Sequence, residues 1–361
     1  MTGPTSERQR GTVEVLEAGR ALAALAVVLF HANAVMGLPK YYGREWAMFS
    51  AGDSGVEFFF VLSGFVMVLA HGRQFGMAGA SLTFLWKRFR RIYLPLWPVL
   101  CLVLAAEVFL FGRAAESLDW KAVAAAFLIT PVREEALLAV EWTLRHEVLF
   151  YALFAFALWR PRLGLPALWL WCAASALSLF WKLEYPLSFL ASPYHALFGM
   201  GMLAAWATER ASVPAPRLLA TCGLLLFAGM WGLVAFGDVP RRLPFVIWGF
   251  GLGAMASLVG LIALERAGLR PPKMLTILGA ASYSIYLIHF PALSAFAKIG
   301  VTLGLPAPLW FVLSVVGACL AGLAFHLAVE RPLLRALPCQ TPTVVACACS
   351  SSVTPGTASH E

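Results

Sequence analysis

Apolar residues run along this chain in long blocks separated by short polar or charged stretches. Ten blocks are long enough to cross about 30 Å of hydrocarbon as helices rising ~1.5 Å per residue. They cover residues 20–38, 54–71, 90–111, 136–159, 165–181, 193–208, 217–236, 243–264, 275–298 and 308–330, and 193–208 is the shortest. A further apolar segment, 119–130, is too short to span and ends at Thr130-Pro131, so it is expected as a helix at the outer interface. The first 19 residues are polar and no small-residue cleavage site follows the first apolar block, so that block is expected to stay as a span. The pattern predicts an all-α, polytopic transmembrane helix bundle of about ten spans. It divides the chain into an N-terminal segment 1–19, a membrane domain 20–335 and a tail 336–361, rich in Ser, Thr, Pro and Ala, that reads as disordered.

Composition narrows the classes. Of 361 residues, 60% are hydrophobic and 13% are charged, and the mean hydropathy is +0.78. A soluble chain of this size could not hide that much apolar surface, which excludes a soluble enzyme, a disordered chain and a nucleic-acid-binding module. The net charge of +8 is therefore read as topology. With the N-terminus in the cytoplasm, sixteen Lys and Arg fall in cytoplasmic segments and nine in outer ones, which places both termini inside. The seven cysteines show no metal-ligand spacing, and no metal is expected. No strong internal repeat is visible, which weakens a transporter reading.

The informative residues are the ionisable ones inside spans. Arg20 and His31 lie eleven residues apart, about 20° from alignment on one helix face and ~16 Å apart along it. That puts Arg20 at the cytoplasmic interface and His31 near mid-membrane. Taken alone, Arg20 reads equally well as a snorkelling side chain and His31 as a helix-packing residue. Lys87-Arg88-Phe89-Arg90-Arg91 opens the third span, with Arg88 and Arg91 sharing a face suited to phosphates. Alone, the cluster reads first as a topogenic signal. Glu141-Trp142-Thr143-Leu144-Arg145-His146-Glu147 leads into the fourth span. Its bland reading is an Arg145–Glu141 pair, and its functional one is Glu147 orienting an imidazole or holding an acceptor hydroxyl. Glu57 lies just inside the outer end of the second span, where Ser63 and Gly64 allow close helix packing. Ser282-Tyr283-Ser284-Ile285-Tyr286 reads as hydroxyls bonding neighbouring backbone, and Glu330-Arg331-Pro332 as a structural stop. His71, His195 and His326 have no partner in sequence and read as packing residues.

In order, these motifs resemble the membrane acyltransferase-3 family: Arg20-x10-His31, Gly55-Val56-Glu57 with Ser63-Gly64-Phe65, Arg88-x-x-Arg91-Ile92-Tyr93, Trp142-Thr143-Leu144 with Glu147 and Phe150-Tyr151, Ser282-Tyr283-Ser284-Ile285-Tyr286-Leu287 with His289, and Glu330-Arg331-Pro332. The resemblance spans about residues 14 to 335. Such proteins are integral membrane acyltransferases of bacterial polysaccharides, lipopolysaccharide and other cell-surface acceptors. The Trp-Thr-Leu variant with Glu resembles the branch linked to exopolysaccharide production. There are departures: Glu57 replaces the usual Asp, Thr143 the usual Ser, and Leu94 intervenes between Tyr93 and Pro95.

The resemblance implies catalytic roles for Arg20 and His31 and acyl-donor roles for Arg88 and Arg91, with Arg20 assisting. Glu57, Trp142, Ser282 and Tyr283 are then expected as acceptor or supporting residues. No tightly bound cofactor is expected. The donor would be cytoplasmic acyl-CoA, most commonly acetyl-CoA, and the acceptor a glycan or lipid-linked glycan in the bacterial inner membrane. Some relatives carry a soluble esterase-like domain after the last span, and none is expected here. His31 would act as general base towards a sugar hydroxyl, oriented by Glu147 or Glu57, or would carry the acyl group transiently. The alternative is a glycolipid or polysaccharide flippase or transporter that consumes no acyl-CoA.

Overall fold

The protein is described from a computed structural model covering residues 14–110, 118–131, 137–210 and 212–337. All regular structure among these residues is helical. The helices are α1 (Glu14–Gly37), α2 (Gly55–His71), α3 (Ala80–Ala105), α4 (Trp120–Leu128), α5 (Glu141–Trp159), α6 (Pro161–Ala174), α7 (Leu187–Leu190), α8 (His195–Arg210), α9 (Pro216–Phe236), α10 (Pro244–Arg266), α11 (Lys273–Ala280), α12 (Ser282–Thr302), α13 (Ala307–Phe325) and α14 (Arg331–Ala336). Proline in the first turn opens α6, α9, α10 and α13, where its missing N–H costs no helical bond.

Eight helical stretches are long and apolar enough to cross a membrane. Each of the ten expected spans falls on helical structure, the ninth across two helices, and the two outside the eight have physical reasons. Helix α5 carries Glu141, Arg145 and Glu147 in its first two turns, and α8 has only 16 residues. Both are lined with buried side chains on the inside of the bundle. Outward faces are apolar instead: Leu218, Leu224 and Leu225 on α9, and Leu313, Val316 and Leu320 on α13, are exposed. Only a bilayer would cover such a surface. The chain is a multi-pass membrane protein.

Three bounds differ from expectation and matter for the site. Helix α1 starts at 14, so Arg20 lies in its second turn, with the N–H groups of Glu14 and Val15 capped by the Glu265 carboxylate of α10. Helix α3 starts at 80, so Arg88 and Arg91 are well inside it. The ninth span breaks at Ala281, which frees Ser282 to start α12 while α11 lies against α1. There a Cβ on Gly279 would fall 1.9 Å from the Glu17 carbonyl oxygen. The segment 119–130 is the short helix α4, as expected. Residues 1–13 and the predicted tail from 338 lie outside the described residues. The starts of α1, α3 and α12 and the ends of α2, α5, α8, α10 and α13 share one end of the bundle, here the proximal end. The opposite end is distal.

Candidate active site

At the proximal end, Arg20 of α1, Arg88 and Arg91 of α3, Glu147 and Tyr151 of α5, and Ser282 and Tyr283 of α12 line one cavity of about 130 Å³. Each arginine is tied differently. Arg20 donates from Nε to Ser282 Oγ (3.0 Å). Arg91 pairs with Glu330 at 2.5 Å and lies over the Tyr283 ring. Arg88 lies over the rings of Phe84 and Tyr151, and its buried Nε has no partner among the described residues. Ser63 (2.9 Å) and Tyr151 (2.5 Å) both donate to Glu147 Oε1. Three guanidinium groups converging on a small cavity with one carboxylate form a site for an anion.

Behind the arginines, Glu330 is fully buried. It takes Arg91 on Oε1 and Ser284 (2.6 Å) and His326 (2.7 Å) on Oε2. A π-helical turn, His326–Glu330, carries both members of the histidine–carboxylate pair. Glu330 was expected as a structural residue at the interface; it is structural but fully buried, and it holds α3, α12 and α13 together around the arginines.

At the distal end lies a larger cavity of about 800 Å³, lined by His31 of α1, Asp53, Trp142 and His146 of α5, Tyr194 and Arg242. Val56 and Tyr286 line both cavities, so they form the partition between them. The Tyr286 hydroxyl bonds Thr143 Oγ1 (2.9 Å), which in turn donates to the Val140 carbonyl (2.9 Å).

His31 is held by another histidine. His289 Nδ1 can only donate to the Ile285 carbonyl (3.1 Å), so in the neutral ring its Nε2 is an acceptor. His31 Nδ1 lies 3.1 Å from that Nε2 and 3.1 Å from the Val27 carbonyl, and must carry the proton. The remaining nitrogen of His31, Nε2, is an unprotonated base with no hydrogen bond among the described residues. The carboxylates expected to orient it do not: Glu147 faces the proximal cavity, and Glu57 pairs with Arg241 at 2.6 Å. Glu147 accepts from Ser63 and Tyr151 on Oε1, and Glu57 takes Arg241 on Oε2. A neutral ring from α12 takes the orienting role.

Arg241, in the loop before α10, also holds Asp53 (2.8 Å), and so clamps the start of α2. Burial opposes its charge, but the Glu57 and Asp53 carboxylates outweigh that and hold its pKa above the ordinary value. Glu57 is thus a fully buried ion-pair partner and lines neither cavity. Trp142 lines the distal cavity, while Ser282 and Tyr283 line the proximal one. The Tyr283 hydroxyl donates to the Ile92 carbonyl (2.9 Å), as expected of these hydroxyls, whereas Ser282 accepts from Arg20, Ser284 donates to Glu330 and Tyr286 bonds Thr143. Arg145 pairs with Glu141 at 2.7 Å, the structural pair the spacing suggests. His146 and His195, 49 residues apart, meet at 2.9 Å. No single-sequence signal links residues so distant on separate helices.

The acyltransferase domain family matches residues 13–327, nearly all the described chain. This protein belongs to the acyltransferase-3 family. The acyltransferase is also 32% identical over 299 residues to the exopolysaccharide production protein ExoZ of Rhizobium meliloti (strain 1021), an alignment covering 80% of this chain and 91% of that protein. No solved structure matches. The protein is therefore a membrane acyltransferase, and its two cavities are where that chemistry is to be sought.

Proposed function

We propose that this acyltransferase moves an acyl group, most commonly acetyl, from cytoplasmic acyl-CoA to a hydroxyl of an exopolysaccharide or its lipid-linked precursor. The observation that carries the reading is the pair of back-to-back cavities: an arginine-lined one and one holding the bare Nε2 of His31, parted by Val56 and Tyr286. Arg88, Arg91 and Arg20 bind phosphate oxygens of the donor. The thioester reaches past Tyr286 and the glycan enters from the distal end. His31 Nε2 takes the hydroxyl proton as the oxygen attacks the thioester carbonyl. The C–S bond then breaks, and the thiolate leaves with a proton returned from His31. His289, accepting from Nδ1–H, stabilises the imidazolium in between, as a triad carboxylate would. Glu147 balances the arginine charge, while Ser282 and Tyr283 hold Arg20 and Arg91 in place. The donor is a co-substrate, and no tightly bound cofactor is invoked. The positive-inside bias supports the bacterial inner membrane, the proximal end and both termini in the cytoplasm.

The test follows thiol release from acetyl-CoA by protein in nanodiscs with glycan acceptors. Acceptor-dependent release is expected, falling at least 100-fold in His31→Gln, the scale of a lost general base. A wild-type rate in that variant removes the base assignment. No release from any acyl-CoA by folded protein turns the reading to the flippase.

A further inference from the structure

The distal cavity holds a second histidine built like the first. His195 Nδ1 faces the Leu190 carbonyl (3.0 Å) and must donate to it, so its Nε2 accepts. His146 Nδ1 lies 2.9 Å from that Nε2 and must carry the proton. His146 Nε2 is then a bare acceptor, and His146 lines the same cavity as His31. Neither ring is free to turn: Phe189 stacks on His146 (4.6 Å) and Trp171 on His195 (4.1 Å). A histidine kept only for packing would have both nitrogens satisfied. Here one buried ring fixes the tautomer of another, whose Nε2 is left without a partner among the described residues. The two pairs come from different helices, α1 with α12 and α5 with α8, so the doubling is not a consequence of one local motif.

Two fixed, neutral nitrogen acceptors facing one cavity match a ligand with two hydrogen-bond donors, such as a sugar ring with two hydroxyls. Trp142 and Tyr194, with ring centroids 5.2 Å apart, supply apolar faces beside His146, and Arg242 and Asp53 add polar edges. An 800 Å³ space lies within the range of small-molecule sites. We infer that His146 is an acceptor-binding residue. Its Nε2 takes a hydrogen bond from a second hydroxyl of the same sugar ring whose first hydroxyl meets His31, and it so selects which hydroxyl is acylated. This rests on the acyl-transfer reading for the role of the first hydroxyl, and the hydroxyl pairing itself can be tested without a donor.

The experiment measures binding of methyl glucoside, methyl galactoside, methyl mannoside and their monodeoxy analogues to nanodisc-embedded protein by saturation-transfer NMR, with no acyl-CoA present. In the wild type, two deoxy positions are expected to weaken binding at least fivefold. His146→Asn keeps an amide nitrogen for His195 and removes the cavity-facing acceptor. In it one of the two penalties should vanish and the other persist. His146→Gln, whose amide oxygen reaches the place of Nε2, should restore part of the lost penalty. In His31→Gln the other penalty should change. An unaltered pattern in His146→Asn, or no saturable binding of any of the three glycosides to the wild type, overturns the inference. If the pattern holds but no acyl-CoA is ever consumed, the acyl-transfer reading and the selection of the acylated hydroxyl fail, and the assignment of His146 as a hydroxyl-binding residue stands. If acyl transfer proceeds and its product is the same hydroxyl ester in His146→Asn, the acyl-transfer reading stands and the selection by His146 fails.

Discussion

Glu330 carries more of the site than any other residue outside the two cavities. A carboxylate removed from water is costly unless paired and hydrogen-bonded. Glu330 meets that condition with Arg91, Ser284 and His326. Its loss would leave Arg91 unpaired at the cavity wall and a hole among three helices. Glu330→Ala is expected to destabilise the protein by about 3 kcal/mol or more, read as a lower melting temperature in detergent. The same variant should weaken binding of acetyl-CoA, because Arg91 loses its anchor. Unchanged melting and unchanged donor binding would show that Glu330 holds nothing. Helical spacing put Arg88 and Arg91 on one face, but alone it read them as a topogenic signal and Arg20 as a snorkelling side chain; the family resemblance grouped the three, and the structure places all of them in one cavity. The partner of His31 was not legible. His289 lies 258 residues away on another helix, and a carboxylate is the commoner imidazole partner to expect.

At the scale of elements, α2, which supplies Val56 to the partition, crosses α8 at close range. Small residues let the backbones touch: a Cβ on Gly64 would fall 2.1 Å from the Phe198 carbonyl oxygen, and one on Gly201 1.9 Å from that of Val61. Backbone cannot move aside as a flexible side chain can. Gly201→Val is therefore expected to lower thermal stability strongly. It should also push α2, with Val56, away from its place in the partition. Gly232→Val serves as control, since nothing lies within 4 Å of a Cβ there. Equal melting temperatures for the two variants would contradict the close crossing. The Ser63-Gly64 pair had signalled close packing in the sequence, whereas the break at Ala281 had not. Residues 275–298 are continuously apolar enough to read as one helix, and only the contact of Gly279 with α1 reveals why the chain turns there.

For the whole molecule, the even number of long helices among the described residues brings residue 337 back to the end where α1 starts, and the proposal that this end faces the cytoplasm rests on the loop charges. In a cysteine-free background, Arg335→Cys should react with a membrane-impermeant maleimide only from the cytoplasmic side, and Lys40→Cys only from outside. The opposite result would invert the donor and acceptor sides and with them the proposed direction of transfer. The bundle was largely legible because a bilayer demands long apolar blocks. The helix least like a span, α5, is the one the site depends on for Glu147 and His146. Its composition has a consequence for how the protein is made. A charged residue on a lone helix costs free energy to release into lipid, most at the helix centre and less towards its ends, and α5 brings Glu141, Arg145 and Glu147 in its first two turns. It cannot readily leave the insertion machinery alone. Only one residue, Arg160, separates it from α6, which opens on Pro161. The two would have to enter the bilayer as a hairpin, with the charged face of α5 turned onto helices already delivered, so the order of synthesis would shield the buried polar side chains of α5 from lipid.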